Sequence, residues 1–555
     1  MPSLITGPLL AGITLVTIFA CFRGLIWLTH DENEPPVLGD SIPFLTPILG
    51  ILRHRTNFMV RLRDRNPSVP IYTLRLPGSR IYVINSPSLV PLVQRQKRVI
   101  AFEPIPARAA ANMMGVSKAG VEIISRDCTG DDAYFATFLK ATYPALASSG
   151  PGLDAMNRAA VEVLATSMME GLEVKKVTVD LWAWVRHQVL MATTEAIYGP
   201  RNPFRDPATE KAWYDFEQGI MLQMLQVHHL CPQGRSSLEA RESMVRAFHR
   251  YFDQGGHQIP NVPSLCLVQA RYQHNLAHAL SLDDIVRTEI GQVAASLSNT
   301  IPAAFWMLWH VLKDPVVLTD CRNEIERLAV VERFQHLQPD GRSVEKEVCT
   351  IDVSQLTNRQ SCPTLTSTWY EVLRYNHVGI SARMVMQDAL LDGYLLKKDS
   401  TVMIVSPVMH SDLSVWGPSA NEFWHRRFIH NGSNSTDHAE VTTIKSSKSK
   451  RMNYNKPEKS PANRIFGGGS TLCPGRHFAS QEVMSLLALT IMRFNVCPVG
   501  RSDWISPLKD IPLPTSLPIP RPASSKDLDI DMMPRYPGRE WRVIFGDSNA
   551  IRGVM

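Results

Sequence analysis

The chain has 555 residues, of which 44% are hydrophobic and 20% charged, so most of it should fold around a sizeable core. This composition excludes a disordered, collagen-like or disulfide-stapled protein. The formal net charge of +6 is small, and no basic stripe with interleaved aromatic residues appears. We therefore expect no nucleic-acid partner.

The amino-terminal segment is apolar. Residues 5–22 carry no charge, and with the residues beyond Arg23 the apolar stretch reaches about 24 residues, where a membrane-spanning helix needs about 20. A cleaved signal peptide is the alternative, but the stretch lacks a preceding basic region and is too long for a signal core. We predict a membrane anchor over residues 1–30. Because the nine cysteines show no paired spacing, we place the body on the cytosolic, reducing side.

The segment that follows the anchor, residues 31–50, contains Pro35 and Pro36, which cannot continue a helix. It is predicted to be a stiff hinge between the anchor and the body.

The body, residues 31–555, is predicted to be one mainly α domain with a small β portion. Helical spacing is found at 132–147, 154–172 and 178–198, and alternating patterns typical of strands at 80–87 and 380–405.

The longest helical pattern covers residues 281–313. Ser281 and Asp284 form an amino-terminal capping pair, and Asp314 followed by Pro315 ends the pattern. Pro302 within it removes a backbone donor and crowds the preceding turn, which predicts a local opening over residues 298–300. This opening suits a water or a small ligand, or it is a simple kink.

Residues 431–460 are polar and poor in aromatic side chains, and they are predicted to form a loop.

The strongest chemical signal lies at residues 466–476. Phe466 precedes three glycines, Cys473 follows on the same loop, and a helical pattern begins after Pro474 and Gly475. Backbone amides at a helix amino terminus stabilise a thiolate, and glycines allow a flat ligand to approach the backbone closely. The pattern favours the axial ligand of haem iron. A nucleophilic cysteine is the alternative, but the sequence places no base nearby.

This segment resembles the haem-binding loop of the cytochrome P450 monooxygenases, F-x-x-G-x-R/H-x-C-x-G. Phe466, Gly469, Cys473 and Gly475 match it. Thr471 departs from it, since the family usually has a basic residue there that pairs with a haem propionate. The resemblance implies the cytochrome P450 fold.

A second motif of the family lies upstream. Glu371 and Arg374 match E-x-x-R on one helical face, and Arg427 lies in a segment that resembles the family's P-E-R-F. The resemblance implies a structural network of these three residues.

The resemblance also implies the ligands of a haem b group. Cys473 would be the axial iron ligand, and Phe466, Gly469 and Arg383 would contact the cofactor.

The long helix gains a catalytic role from the same resemblance. Thr300 would hold the water that delivers protons, while Asn299 stands where the family usually has an acid. The Asn-Thr-Ile-Pro pattern looks like the branch of cholesterol 7α-hydroxylase, sterol 12α-hydroxylase and prostacyclin synthase.

The activity thereby implied is NADPH- and O2-dependent hydroxylation of a lipophilic terpenoid or sterol-like substrate in a secondary-metabolite pathway. The implied partners are NADPH–cytochrome P450 reductase and the bilayer, with the chain as a single-pass protein of the endoplasmic reticulum membrane. Two alternatives stay open. One is an isomerase or dehydratase of the same fold that needs no NADPH, and the other is a non-enzymatic haem-binding membrane protein.

Overall fold

The computed structural model describes residues 3–147, 150–167, 176–337, 343–429, 459–511, 513 and 518–546. The predicted polar loop at 431–460 lies outside these residues, apart from its last two positions.

Helices make up most of the described chain, as predicted. Those of the first half are α1 Ser3–Thr29, α2 Leu45–His54, α3 Asn57–Arg65, α4 Val90–Arg95, α5 Pro104–Ala109, α6 Lys118–Ser125, α7 Tyr134–Leu146, α8 Pro151–Ser167, α9 Leu181–Tyr198, α10 Pro207–Met224 and α11 Pro232–Asp253. Those of the second half are α12 Cys266–Ala277, α13 Leu282–Leu297, α14 Thr300–Leu312, α15 Pro315–Glu326, α16 Pro363–Asn376, α17 Ser406–His410, α18 Leu413–Trp416 and α19 Arg476–Arg493.

The β portion consists of short strands in small sheets. The strands are β1 Ile71–Leu76, β2 Ser79–Ile84, β3 Ile100–Ala101, β4 Val177–Asp180, β5 Ala329–Leu337, β6 Ser343–Asp352, β7 Ile380–Val385, β8 Ala389–Leu391, β9 Tyr394–Leu396, β10 Thr401–Val405, β11 Phe494–Pro498, β12 Lys509–Asp510, β13 Arg521–Pro522, β14 Asp529–Pro534 and β15 Glu540–Ile544. The largest sheet has the strand order β1-β2-β10-β7-β3. Strands β2 and β10 are parallel, and the other neighbouring strands of this sheet are antiparallel.

The amino-terminal residues form the helix α1, as the apolar pattern predicts. None of the helices in the described part of the chain is both long and apolar enough to cross a membrane. The predicted anchor is therefore not confirmed.

Two helical predictions need correction. The pattern at 281–313 forms two helices, α13 and α14, because the chain leaves the helical ladder at Ser298 and Asn299. The pattern at 178–198 begins with strand β4, since residues 177–180 pair with β14 before α9 starts. The predicted cap of α13 is present, as the Ser281 hydroxyl accepts from the amide of Asp284.

The helix α19 lies at the centre of the core. Nearly every side chain from Phe478 to Arg493 is buried, so the helix has no solvent-facing stripe. It packs against α8, α14 and α15. The loop that enters α19, with Cys473, is thus fixed to a helix of the core, and α14 with the break before it packs on the same helix.

Candidate functional site

The loop before α19 folds back on itself. The amide of Cys473 donates to the carbonyl of Phe466 at 2.9 Å, and a short turn at residues 469–471 lies between them. Gly469 has φ 61°, a left-handed conformation that costs glycine least. The loop therefore presents Cys473 at the mouth of α19, as the sequence predicts.

The sulfur of Cys473 faces the start of the helix. Burial raises the pKa of its thiol, while the backbone amide of Gly475, the charge of Arg476 and the amide of Arg476 oppose that rise. Amide donors and a neighbouring cation stabilise a thiolate, which is the form that binds a metal. The cysteine is half-buried, and in the described residues it takes part in no disulfide.

The glycines of the loop are needed for close packing. An added Cβ at Gly468 would lie 2.5 Å from Nη1 of Arg464 and 2.9 Å from Nε2 of Gln94. At Gly469 it would lie 3.0 Å from the Gln94 side chain. The backbone of Gly468 thus lies between Gln94 of α4 and Arg464, and a larger residue at 468 would displace one of them.

Two buried arginines lie beside this loop. Arg383 is 1% exposed and Arg464 is 4% exposed. Nη2 of Arg383 donates to the hydroxyl of Thr471 at 2.9 Å. Within the described chain, Nε of Arg383 and both Nε and Nη2 of Arg464 are buried without a hydrogen-bond partner.

The two buried guanidinium groups are unfavourable unless an anion binds between or beside them. Burial, followed by the charge of Arg383, lowers the pKa of Arg464 to about 10. Burial likewise lowers the pKa of Arg383, and Glu103 opposes this without forming an ion pair with either arginine in the described residues. Because unpaired buried cations are costly, the site fits an anionic group.

The break between α13 and α14 leaves buried polar groups without hydrogen-bond partners in the described chain. Oγ of Ser298 and Oδ1 of Asn299 are buried without a partner in the described chain, while the hydroxyl of Thr300 donates to the carbonyl of Ser296 at 2.7 Å. Pro302 lies in the first turn of α14, where its missing N–H breaks no bond. The opening has two free acceptors for a water or ligand, which favours the ligand-binding interpretation over a simple kink.

Glu371, Arg374 and Arg427 are in contact. The carboxylate of Glu371 accepts from Nε and Nη2 of Arg374 at 2.7 and 2.8 Å, and from Nε of Arg427 at 3.0 Å. The amide of Trp424 donates to it at 3.0 Å. The arginines use their remaining donors on backbone carbonyls, so the network joins α16 to the segment after α18.

His410 connects this network to the cysteine loop. Its Nε2 accepts from the amide of Arg464 at 2.9 Å, and its Nδ1 lies 3.1 Å from the carbonyl of Arg374. Complete burial lowers the pKa of His410 well below its usual value, so the ring is neutral. A neutral ring that accepts at Nε2 carries its proton on Nδ1, which fits both contacts.

The structure groups most of the predicted site residues. Phe466, Gly469 and Cys473 lie on one loop, and Arg383 reaches it through Thr471. Asn299 and Thr300 lie where α14 begins, and α14 packs against α19.

Sequence reasoning missed Arg464 and His410. The signal for Arg464 was present, since it is a charged residue two positions before Phe466 and the glycines of the loop. His410 carried no such signal.

Comparison with known proteins is consistent with this geometry. Residues 210–518 match the family Cytochrome P450. The chain is 31% identical over 545 residues to the cytochrome P450 monooxygenase nodJ of Hypoxylon pulicicidum, which covers 97% of this chain and 98% of that protein. It is 23% identical to cytochrome P450 7B1 of Mus musculus, over 85% of this chain and 86% of that one.

Two further similarities are shorter or more distant. The cholesterol 7-alpha-monooxygenase of Cricetulus griseus is 28% identical over 39% of this chain and 40% of its own. The retinoic acid-bound cyanobacterial CYP120A1 structure superposes with a TM-score of 0.62 at 17% identity, covering 91% of this chain and 100% of that one. The latter similarity shows the fold.

Proposed function

The chain belongs to the cytochrome P450 family, and we propose that Cys473 ligates its haem iron while it oxidises a lipophilic terpenoid or sterol-like molecule. Family membership makes the chain a monooxygenase that binds haem through a cysteine thiolate and receives electrons from a reductase. The finer proposals concern the residues, the electron donor and the substrate.

The observation that carries the proposal is the environment of Cys473. Its sulfur faces the amides of Gly475 and Arg476 on a loop whose glycines pack closely against Gln94 and Arg464, beside two buried arginines without acidic partners in the described residues. These features fit haem: a thiolate for the iron, glycines without side chains that let the ring approach the backbone, and cations for the carboxylates of the ring. When bound, haem supplies an iron at which dioxygen is activated, and a thiolate ligand favours O–O cleavage.

The residues at the helix break would bind and orient the water that delivers protons. The hydroxyl of Thr300 donates to Ser296, so its lone pairs are available to a water. The unpartnered Oγ of Ser298 and Oδ1 of Asn299 can accept hydrogen bonds from the same water or from substrate. Thr300 would thereby hold a proton-carrying water, and Asn299 would orient it without supplying a proton.

The substrate class rests on two kinds of support. One relative is named for a monooxygenase acting on cholesterol, and another similar chain is a cytochrome P450 of the 7B1 type. The apolar amino-terminal sequence would give access to membrane-dissolved molecules. We further propose NADPH as the electron source through cytochrome P450 reductase. The single-pass location in the endoplasmic reticulum membrane stays a prediction, which carbonate extraction of expressing cells tests.

The ligand proposal is tested by the spectrum of the dithionite-reduced carbonyl complex. The wild type should give the thiolate-type Soret band, and Cys473→Ser should lose it, because serine is a poor and mostly protonated ligand. Cys362→Ser, a fully buried cysteine at the start of α16, should retain it. A wild type without the thiolate band would instead support the non-enzymatic alternative.

The isomerase or dehydratase is the second candidate function, favoured by Asn299 at the position of the family's acid. It predicts product formation without NADPH. Incubation with candidate terpenoids and sterols, with NADPH or O2 omitted in turn, separates the two. Turnover that persists without both would exclude the monooxygenase reaction for that substrate.

A further inference from the structure

We propose that Arg464 binds a haem propionate in place of the basic residue that Thr471 replaces. The inference rests on the proposed haem site and assigns Arg464 a cofactor-positioning role. The cation that contacts the propionate would thus lie at position 464, seven residues before the position that the family usually uses.

The position of Arg464 is fixed by His410 and by the cysteine loop. Its backbone amide is held by Nε2 of His410 at 2.9 Å, and its guanidinium lies against Gly468, where an added Cβ would come within 2.5 Å of Nη1. The guanidinium is therefore placed directly beside the turn that contains Thr471.

Two of the three guanidinium nitrogens of Arg464 have no hydrogen-bond partner in the described residues. Nε and Nη2 are buried without partners in the described residues, and the residue is 4% exposed, so bulk solvent does not reach them. Arg374 and Arg427, by contrast, are buried with a carboxylate and several carbonyls as acceptors. An orphaned guanidinium in the interior indicates an acceptor that the described residues do not supply.

The absent acceptor is an anion that two guanidinium groups share. Arg383 lies near enough for its charge to lower the pKa of Arg464, and its Nε is also unpartnered. The nearby Glu103 forms no ion pair with either arginine, and its Oε2 is itself unpartnered. One carboxylate between the two arginines would satisfy free donors of both.

Thr471 cannot make this contact, because its hydroxyl is already used. It donates to the carbonyl of Gly468 at 2.9 Å and accepts from Nη2 of Arg383 at 2.9 Å. The threonine therefore positions Arg383 and leaves the second cationic contact to Arg464.

The test is the rate at which the purified holoprotein loses haem to an excess of apomyoglobin. Arg464→Met should lose haem roughly 10- to 100-fold faster than wild type, the range expected for a lost charge-assisted hydrogen bond. Arg464→Lys should lie between the two. Arg464→Met combined with Thr471→Arg should recover most of the loss, because it restores the family's cation at its usual position. Arg426→Met, a half-exposed arginine paired with Asp320, is the matched control and should match wild type.

Two results would overturn the inference. One is an unchanged haem-loss rate in Arg464→Met. The other is faster loss that Thr471→Arg does not rescue, accompanied by an equal fall in apoprotein stability, since that combination indicates packing alone. The haem content of the wild type is measured first. A wild-type protein without haem would refute both the haem site and this inference. If the wild type carries normal haem, the variants test the role of Arg464 alone.

Discussion

The buried Glu371 network allows the sharpest test of the fold. The Glu371 carboxylate is 0% exposed and accepts from Arg374, Arg427 and the amide of Trp424. In Glu371→Ala both guanidinium groups stay buried without a counter-charge, although each keeps its backbone carbonyls. Removing one partner of a buried ion pair costs about 3–5 kcal/mol.

Glu347 offers a matched control. It also pairs with two arginines, Arg333 and Arg539, but on the more exposed hairpin of β5 and β6, where its side chain is 28% exposed. Exposed ion pairs contribute about 0–1 kcal/mol each, because water and salt screen them. Glu347→Ala should therefore lower the free energy of unfolding by only a small amount, although it too removes a carboxylate that pairs with two arginines.

The assay is guanidinium unfolding of both variants, followed by tryptophan fluorescence, with haem content measured on the purified proteins. Native stabilities are about 5–15 kcal/mol, so the expected loss in Glu371→Ala is a large share of the total. We expect a poorly loaded protein with a clearly lower unfolding midpoint. If Glu371→Ala were no less stable than Glu347→Ala and carried normal haem, the assignment of the network as a main support of the fold would be wrong.

Three further predictions concern other residues of the interior and of the helix break. In Thr300→Ala, peroxide formed per NADPH consumed should rise several-fold while haem content stays normal, Thr300→Ser should be milder, and unchanged coupling would remove Thr300 from proton delivery. Burial raises the pKa of Glu482 from 4.5 to about 8, so the folded state binds more protons than the unfolded state between these values. Stability should fall as pH rises from about 5 to 8, and Glu482→Gln should flatten that fall in denaturation curves measured across the range. Arg271 and Glu289 form a pair that is 2% and 1% exposed. Arg271→Met should therefore destabilise by about 3–5 kcal/mol, and the double variant with Glu289→Met by less, as measured by guanidinium unfolding.

Local sequence signals predicted the features that depend on neighbouring residues. The cap at Ser281 is set by adjacent side chains and is present, and the break predicted beside Pro302 lies at Ser298 and Asn299. The cysteine loop was equally local, since the glycines, Cys473 and the following helix are contiguous. The error was to treat 281–313 as one helix, because the pattern on either side of Pro302 is continuous while the backbone ladder is not.

Features that depend on distant segments were not predictable in the same way. Residues 330–335 of β5 are exposed, and this strand lacks the alternation of apolar and polar residues that marks a half-buried strand. The roles of Arg464 and His410 come from contacts with residues elsewhere in the chain. Arg383 and Thr471 are 88 positions apart, and only the resemblance to a family placed Arg383 at the cofactor.

His410 connects the Glu371 network to Arg464 beside the cysteine loop. Arg374 donates to the carbonyl of His410 at 2.8 Å, and the ring of His410 receives the amide of Arg464. A change that loosens Arg374 therefore reaches the residue that we assign to the propionate, through two hydrogen bonds and no solvent. This connection gives a physical reason why Glu371→Ala should lower haem content in addition to stability. It also predicts an order of effects: Arg464→Met should release haem from a protein that is still well folded, because the Glu371 network lies on the far side of His410 and stays intact.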